Sequence, residues 1–118
     1  MIIKLMKSKV HRATVTGADL NYEGSIALDE ALIEAAGFGV GEAVHIWNLG
    51  NGERFETYVI PAPRGSGEVR LNGAAARLVQ PGDLVIVVAF CWVDAAEAKN
   101  HASNVVFVDE KNRCVKTS

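Results

Sequence analysis

The sequence predicts a small, mainly β protein that closes into a barrel. Three observations carry this expectation. The strongest hydrophobic periodicity is two, and glycine and proline punctuate it. Strand-like stretches of this kind recur roughly six times in 118 residues. Helical stretches are few and short, so closing the sheet on itself is the available way to remove exposed strand edges.

Residues 2–16, rich in Ile, Val, Leu and Thr, read as one or two strands. The helix that follows starts at Asp29, a side chain that caps by accepting from backbone N–H, and runs through Ala36 to Gly37. Residues 43–48 and 54–60 flank Gly50-Asn51-Gly52 and form a hairpin. Residues 69–72 and 84–92 are further strands, the second apolar enough for burial on both faces. Ala74 to Leu78 forms one helical turn before Pro81-Gly82-Asp83, and Asp94 to Lys99 another. Residues 105–108, a turn at 110–112 and a short run at 114–116 complete the chain.

At 118 residues, with 49 % of them hydrophobic, the chain fits one domain with its own core, and oligomerisation would add to it. A net charge of −2 argues against a binder held mainly by nucleic-acid phosphates. The composition also excludes disorder. The longest apolar run, residues 84–93, is about half a membrane-spanning helix. Lys4, Lys7 and Lys9 interrupt the first apolar residues, so no secretory leader is expected and a cytoplasmic protein is. Two cysteines, Cys91 and Cys114, and three scattered histidines make neither a disulfide framework nor a metal set. Cys91 reads as a small buried hydrophobe, Cys114 as a tail residue, and His45 and His101 as surface residues.

Chemistry concentrates around Tyr22-Glu23-Gly24-Ser25-Ile26. A Gly-Ser pair alone is an ordinary turn. Here it stands between Lys9-Val10-His11-Arg12 upstream and Trp47-Asn48, Arg54, Thr57-Tyr58, Asn72-Gly73-Ala74-Ala75-Ala76 and Pro81-Gly82-Asp83 downstream. In type, order and spacing, this set resembles the pyruvoyl-dependent aspartate 1-decarboxylases from about Met1 to about Val108. The resemblance implies a six-stranded double-psi β-barrel, a homotetramer with active sites between subunits, and self-cleavage between Gly24 and Ser25 into chains 1–24 and 25–118. It also implies decarboxylation of L-aspartate to β-alanine and CO₂ for pantothenate synthesis.

The residues rationalise that chemistry. Removing CO₂ from an amino acid leaves a carbanion that needs an electron sink, which no ordinary side chain supplies. A ketone that forms a Schiff base with the substrate amine is such a sink, and no pyridoxal-phosphate site is evident. Ser25 can generate the ketone as a pyruvoyl group. Its hydroxyl attacks the Gly24 carbonyl, elimination from the resulting ester leaves dehydroalanine, and hydrolysis releases ammonia. Glycine at 24 offers little bulk and tolerates unusual backbone angles.

Lys9 and His11 share a strand face with Ala13 and Val15, where an exposed Lys and a solvated His are the ordinary expectation. By resemblance, Lys9 contacts a substrate carboxylate and His11 belongs to the same wall. Arg54 and Tyr58 share another face; a guanidinium suits a dicarboxylic substrate because it grips a carboxylate with two parallel bonds. Thr57 points the opposite way from Tyr58 in a regular strand, so both serve one site only at an interface or a distortion. The resemblance makes Thr57 an aid to cleavage and a substrate contact, and Tyr58 the proton donor after CO₂ leaves. Asn72, Gly73, Ala74 and Ala75 present backbone to substrate or simply permit close packing. Trp47 and Ile86 wall the site, although Ile86, inside 84–92, reads as plain core before it reads as wall, and Tyr22 orders the cleavage loop.

Two other readings compete: a non-catalytic double-psi barrel that serves as a binding module, and a precursor that needs a partner to mature. A binding module has no reason to keep Gly24-Ser25 together with Tyr58.

Overall fold

The computed structural model describes residues 1–118. In chain order it contains β1 (Ile2–Thr14), β2 (Gly17–Asp19), β3 (Ser25–Asp29), α1 (Glu30–Ala36), β4 (Ala43–Asn48), β5 (Arg54–Ala62), β6 (Val69–Asn72), β7 (Leu84–Asp94), β8 (Asn104–Val108) and β9 (Cys114–Thr117). Single 3-10 turns occupy Gly73–Leu78 and Ala95–Asn100. The strands are ordered β2-β6-β3-β5-β4-β7-β1-β8-β9. The chain leaves β1 and enters β2 beside β6, so the last part of the sheet is carried round to the first and encloses a core. Val10, Ile26, Leu28, Val44, Ile46, Val59, Leu71, Val85 and Val87 are fully buried there. The fold is the double-psi β-barrel, with nine strands where about six were expected.

Most elements fall where their residues place them. Asp29 caps α1 by accepting from Ala31 N at 2.8 Å, and Gly37 ends it at φ 70°. The hairpin pairs Trp47 with Arg54 and Ala43 with Tyr58, with Gly52 at φ 77° in the turn. Three expectations need correction. Residues 25–29, to which the sequence assigns no strand, form β3, buried at every position because it is sandwiched between β5 and β6. Alternation along β1 fails after Val10: a bulge with Arg12 at φ 63° turns Ala13 and Val15 into the core while Lys9 and His11 stay on the outer side. β7 is fully buried only in part, with Ile86, Phe90 and Cys91 half-exposed and Trp92 exposed. Cys91 is therefore not a core residue. Neither histidine read as surface is free: His45 packs edge-on against Phe90, and His101 places Nε2 2.7 Å from the Met6 carbonyl.

Two buried polar side chains tie distant segments together. Asp29 accepts from Gly65 N and Gly67 N besides its cap bond. Asn112, at φ 61° and 2 % exposed, accepts from Thr14 N and donates to the carbonyls of Thr14 and Gly67. The β8–β9 turn is thereby fastened to the end of β1 and to the loop that precedes β6.

Candidate active site

Ser25 opens β3 opposite Asn72, the last residue of β6, and is 1 % exposed. Its hydroxyl donates to the Glu23 carbonyl at 3.0 Å and accepts from Asn72 Nδ2 at 3.0 Å. Asn72 is equally buried, and its Oδ1 has no partner. A buried carbonyl oxygen without a donor costs about 1–3 kcal/mol, so the site retains an unmet demand for an N–H or O–H. Gly73 follows at φ 68° and lies directly against the backbone of Gly24. Gly24 itself is exposed, lies outside the left-handed region, and has space for a Cβ. The conformational freedom expected of Gly24 is thus required one contact away, at Gly73.

A cleft of about 360 Å³ adjoins this corner and is lined by Gly24, Phe55, Glu56, Thr57, Tyr58, Asn72, Ala74, Ala75 and Leu78. Its position explains how Thr57 and Tyr58 meet in one place. β5 pairs with β4 over residues 54–58 but with β3 only from Val59 onward, so residues 54–58 keep one edge open. The cleft lies along that open edge and is lined by both Thr57 and Tyr58. No interface or distortion of β5 is needed. Ala75 is buried and Ala74 is exposed toward the cleft, while Tyr58 is 39 % exposed.

The remaining candidates assemble elsewhere. Register across β1, β7, β4 and β5 aligns Lys9, Val88, His45 and Glu56 in one row. Two positions along, Ile86, Trp47 and Arg54 form the next row, with His11 at its β1 end. The Arg54 guanidinium stacks 4.1 Å from the Trp47 ring centre. Ile86 is thus a half-exposed neighbour of Trp47 rather than core. His11 packs edge-on to Phe107, and burial, then the nearby Lys9 and Arg12 charges, lower its pKa. None of Lys9, His11, Trp47, Arg54 or Ile86 lines the Ser25 cleft of the same chain. Tyr22 is 55 % exposed, and its carbonyl sits near Gly73.

The cleft can therefore hold a small molecule against backbone, a threonine hydroxyl and a phenol, next to a buried serine at a Gly-Ser bond. Two further polar residues bracket it: Glu56, on the cleft rim, and Asn48, which donates to the Leu78 carbonyl and to Asp83. Asn48 stands beside Trp47 in the set that carries the family resemblance but has no role assigned there, and nothing local distinguishes Glu56 from an ordinary hairpin charge.

The profile of the family described as "Aspartate decarboxylase" matches residues 1–115. The aspartate 1-decarboxylase of Caldicellulosiruptor saccharolyticus is 58 % identical over 118 residues, which cover 100 % of this chain and 92 % of that protein. The aspartate 1-decarboxylase of Caulobacter vibrioides is 56 % identical over 112 residues, 95 % of each chain. Among solved structures, the rationally designed mkDPBB_sym_86 protein shares the fold at TM-score 0.50 and 22 % identity, covering 65 % of this chain and 90 % of that one. Matched along nearly its full length, the chain belongs to the aspartate decarboxylase family.

Proposed function

We propose that this enzyme works with a carbonyl made from its own Ser25. As a member of its family, the chain converts L-aspartate to β-alanine and CO₂, a carboxy-lyase reaction that supplies pantothenate synthesis. The observation that carries the proposal is the buried Ser25 hydroxyl, held between Glu23 and Asn72 next to a cleft that reaches Tyr58. Attack by Oγ on the Gly24 carbonyl forms the ester bond and breaks the peptide C–N bond, and the departing nitrogen takes up the hydroxyl proton to become a free amine. Loss of the Ser25 α-proton and departure of the Gly24 carboxylate leave dehydroalanine. Water then replaces ammonia, and chains 1–24 and 25–118 remain. Thr57, on the cleft wall, is suited to stabilise the oxyanion of the first step.

These residues fit a pyruvoyl group at position 25, which supplies an electron sink for the carbanion formed on decarboxylation. Around it, Asn72 Oδ1 offers an acceptor, and the Gly73-Ala74-Ala75 backbone offers a surface for the substrate. Tyr58 holds a proton at Oη that it delivers to the carbon that lost CO₂. Lys9 and Arg54 bind the substrate carboxylates, with His11, Trp47 and Ile86 as their wall. These five do not line the cleft of their own chain, so this reading has a second copy bring them to it. A homotetramer with active sites between subunits meets that need. No helix of the chain is long and apolar enough to cross a membrane. A partner that accelerates maturation has a place in this reading, because the Ser25 hydroxyl is engaged by the Glu23 carbonyl and is released from it before attack.

Hydrazine labelling of the purified protein tests this proposal. One carbonyl per large fragment, located at residue 25, is expected, and no label on a chain that makes β-alanine would contradict it.

A further inference from the structure

Gly73 differs from the other glycines near the site. Its φ of 68° disfavours any L side chain, and a Cβ built on it would lie 2.7 Å from Gly24 Cα, 2.8 Å from Gly24 N and 3.2 Å from the Tyr22 carbonyl oxygen. Real Cβ atoms do not approach backbone so closely, and all three neighbours are main-chain atoms with no rotamer to yield. A methyl group at 73 must therefore move the residues immediately before the Gly24–Ser25 bond. Ser25 could not follow them, because β3 is buried at every position and its Oγ is tied to Asn72. Displacement would therefore change the relation between the Gly24 carbonyl and Ser25 Oγ, which the first bond-forming step depends on. Small misplacements of reacting atoms have large rate consequences.

We propose that Gly73 is a positioning residue for self-cleavage: its missing Cβ forms the seat that holds the Glu23–Gly24 segment where the Ser25 hydroxyl can reach the Gly24 carbonyl. The proposal rests on cleavage at Gly24–Ser25. It assigns Gly73 a part in maturation that is separate from the use of its backbone by substrate. It also explains why the strict need for glycine falls on Gly73, whereas a Cβ on Gly24 would meet nothing within 4 Å.

Two other glycines serve as internal controls. Gly67 has φ 69° and would place a Cβ 2.6 Å from the Lys111 carbonyl oxygen, an equally tight contact away from the scissile bond. Gly37 has φ 70° and no neighbour within 4 Å, so it reports backbone strain alone. The experiment follows the mass of freshly purified parent, Gly73→Ala, Gly73→Asn, Gly67→Ala and Gly37→Ala during incubation, with and without hydroxylamine, which intercepts the ester. Asparagine tolerates the left-handed region but keeps the offending Cβ. Both Gly73 variants are expected to fold, as judged by circular dichroism, to cleave at least tenfold more slowly than the parent, and to give no hydroxylamine product. Gly67→Ala and Gly37→Ala are expected to cleave within threefold of the parent. Parental cleavage in the Gly73 variants overturns the proposal, as does hydroxylamine-released product, which would show the ester forming normally. Equal slowing in Gly67→Ala, or aggregation of both Gly73 variants while Gly67→Ala folds, assigns Gly73 to general packing and also overturns it. A parent that stays whole refutes cleavage itself and is distinguished by that result.

Discussion

Ser25 and Asn72 face each other across the β3–β6 ladder, and the amide of Asn72 donates to the Ser25 hydroxyl at 3.0 Å. The bond orients a lone pair of the Ser25 hydroxyl and leaves the amide oxygen of Asn72 unmatched. Ser25→Ala removes the proposed nucleophile and the proposed source of the carbonyl together. The variant is expected to fold, to remain a single full-length chain and to make no β-alanine. Decarboxylation by it would contradict the role given to Ser25.

Arg54 stacks on Trp47 on the outer face of the sheet and does not line the cleft of its own chain. Arg54→Ala is expected to give fragments of unchanged mass and to lower kcat/KM for aspartate about ten- to a hundredfold, the loss of one charge-assisted hydrogen bond. Asparagine and alanine are expected to be poor substrates of the parent. Equal turnover of asparagine and aspartate would remove the reason for pairing Lys9 and Arg54 with carboxylates.

Tyr58 separates maturation from turnover. Its phenol is an O–H donor on the wall of the cleft. Tyr58→Phe is expected to cleave and to bind hydrazine at position 25 as the parent does. Its β-alanine formation is expected to fall about 10²- to 10⁴-fold, the usual contribution of a placed general acid. Full labelling with parental β-alanine formation would exclude Tyr58 as donor.

Acid should loosen the barrel through Asp29. Burial opposes ionisation of this carboxyl, but the N–H groups of Gly67, Ala31 and Gly65, with Arg64 nearby, outweigh burial and hold its pKa below the usual carboxylate value. The unfolded chain therefore takes up this proton first. The stabilisation is complete above the ordinary carboxyl pKa of about 3.9 and declines as pH falls through the lower folded value. Urea midpoints measured from pH 6 to pH 2 should fall more steeply for the parent than for Asp29→Asn. Asn112→Ala strands the three groups its side chain bonds and is expected to cost about 2–4 kcal/mol at neutral pH. That loss is expected without a change in which bond is cut.

Local chemistry made the hairpin, α1 and the 3-10 turns legible in the sequence, because Gly52, Asp29, Gly37 and Asp94 act within a few residues of where they stand. β3 was not legible: five residues ending in a capping aspartate carry no period, and only pairing with β5 and β6 shows them to be a strand. The bulge at Arg12 is also non-local, since its left-handed backbone is an arginine's rather than a glycine's. Family resemblance supplied the candidate residues but not their division between a cleft and an outer face. That division follows from where β5 changes partner, a property of the whole sheet. Asn112, the most connected buried side chain of the C-terminal segment, gave no signal because its partners Thr14 and Gly67 are far away in sequence.

The central claim is that the chain cuts itself at Gly24–Ser25 and turns Ser25 into the reactive carbonyl. Intact mass measurement of the purified protein after incubation tests it most directly. Two fragments are predicted, residues 1–24 and 25–118, the larger without a free α-amine and therefore refractory to Edman degradation. A single full-length species, stable on prolonged incubation yet active on aspartate, would contradict it.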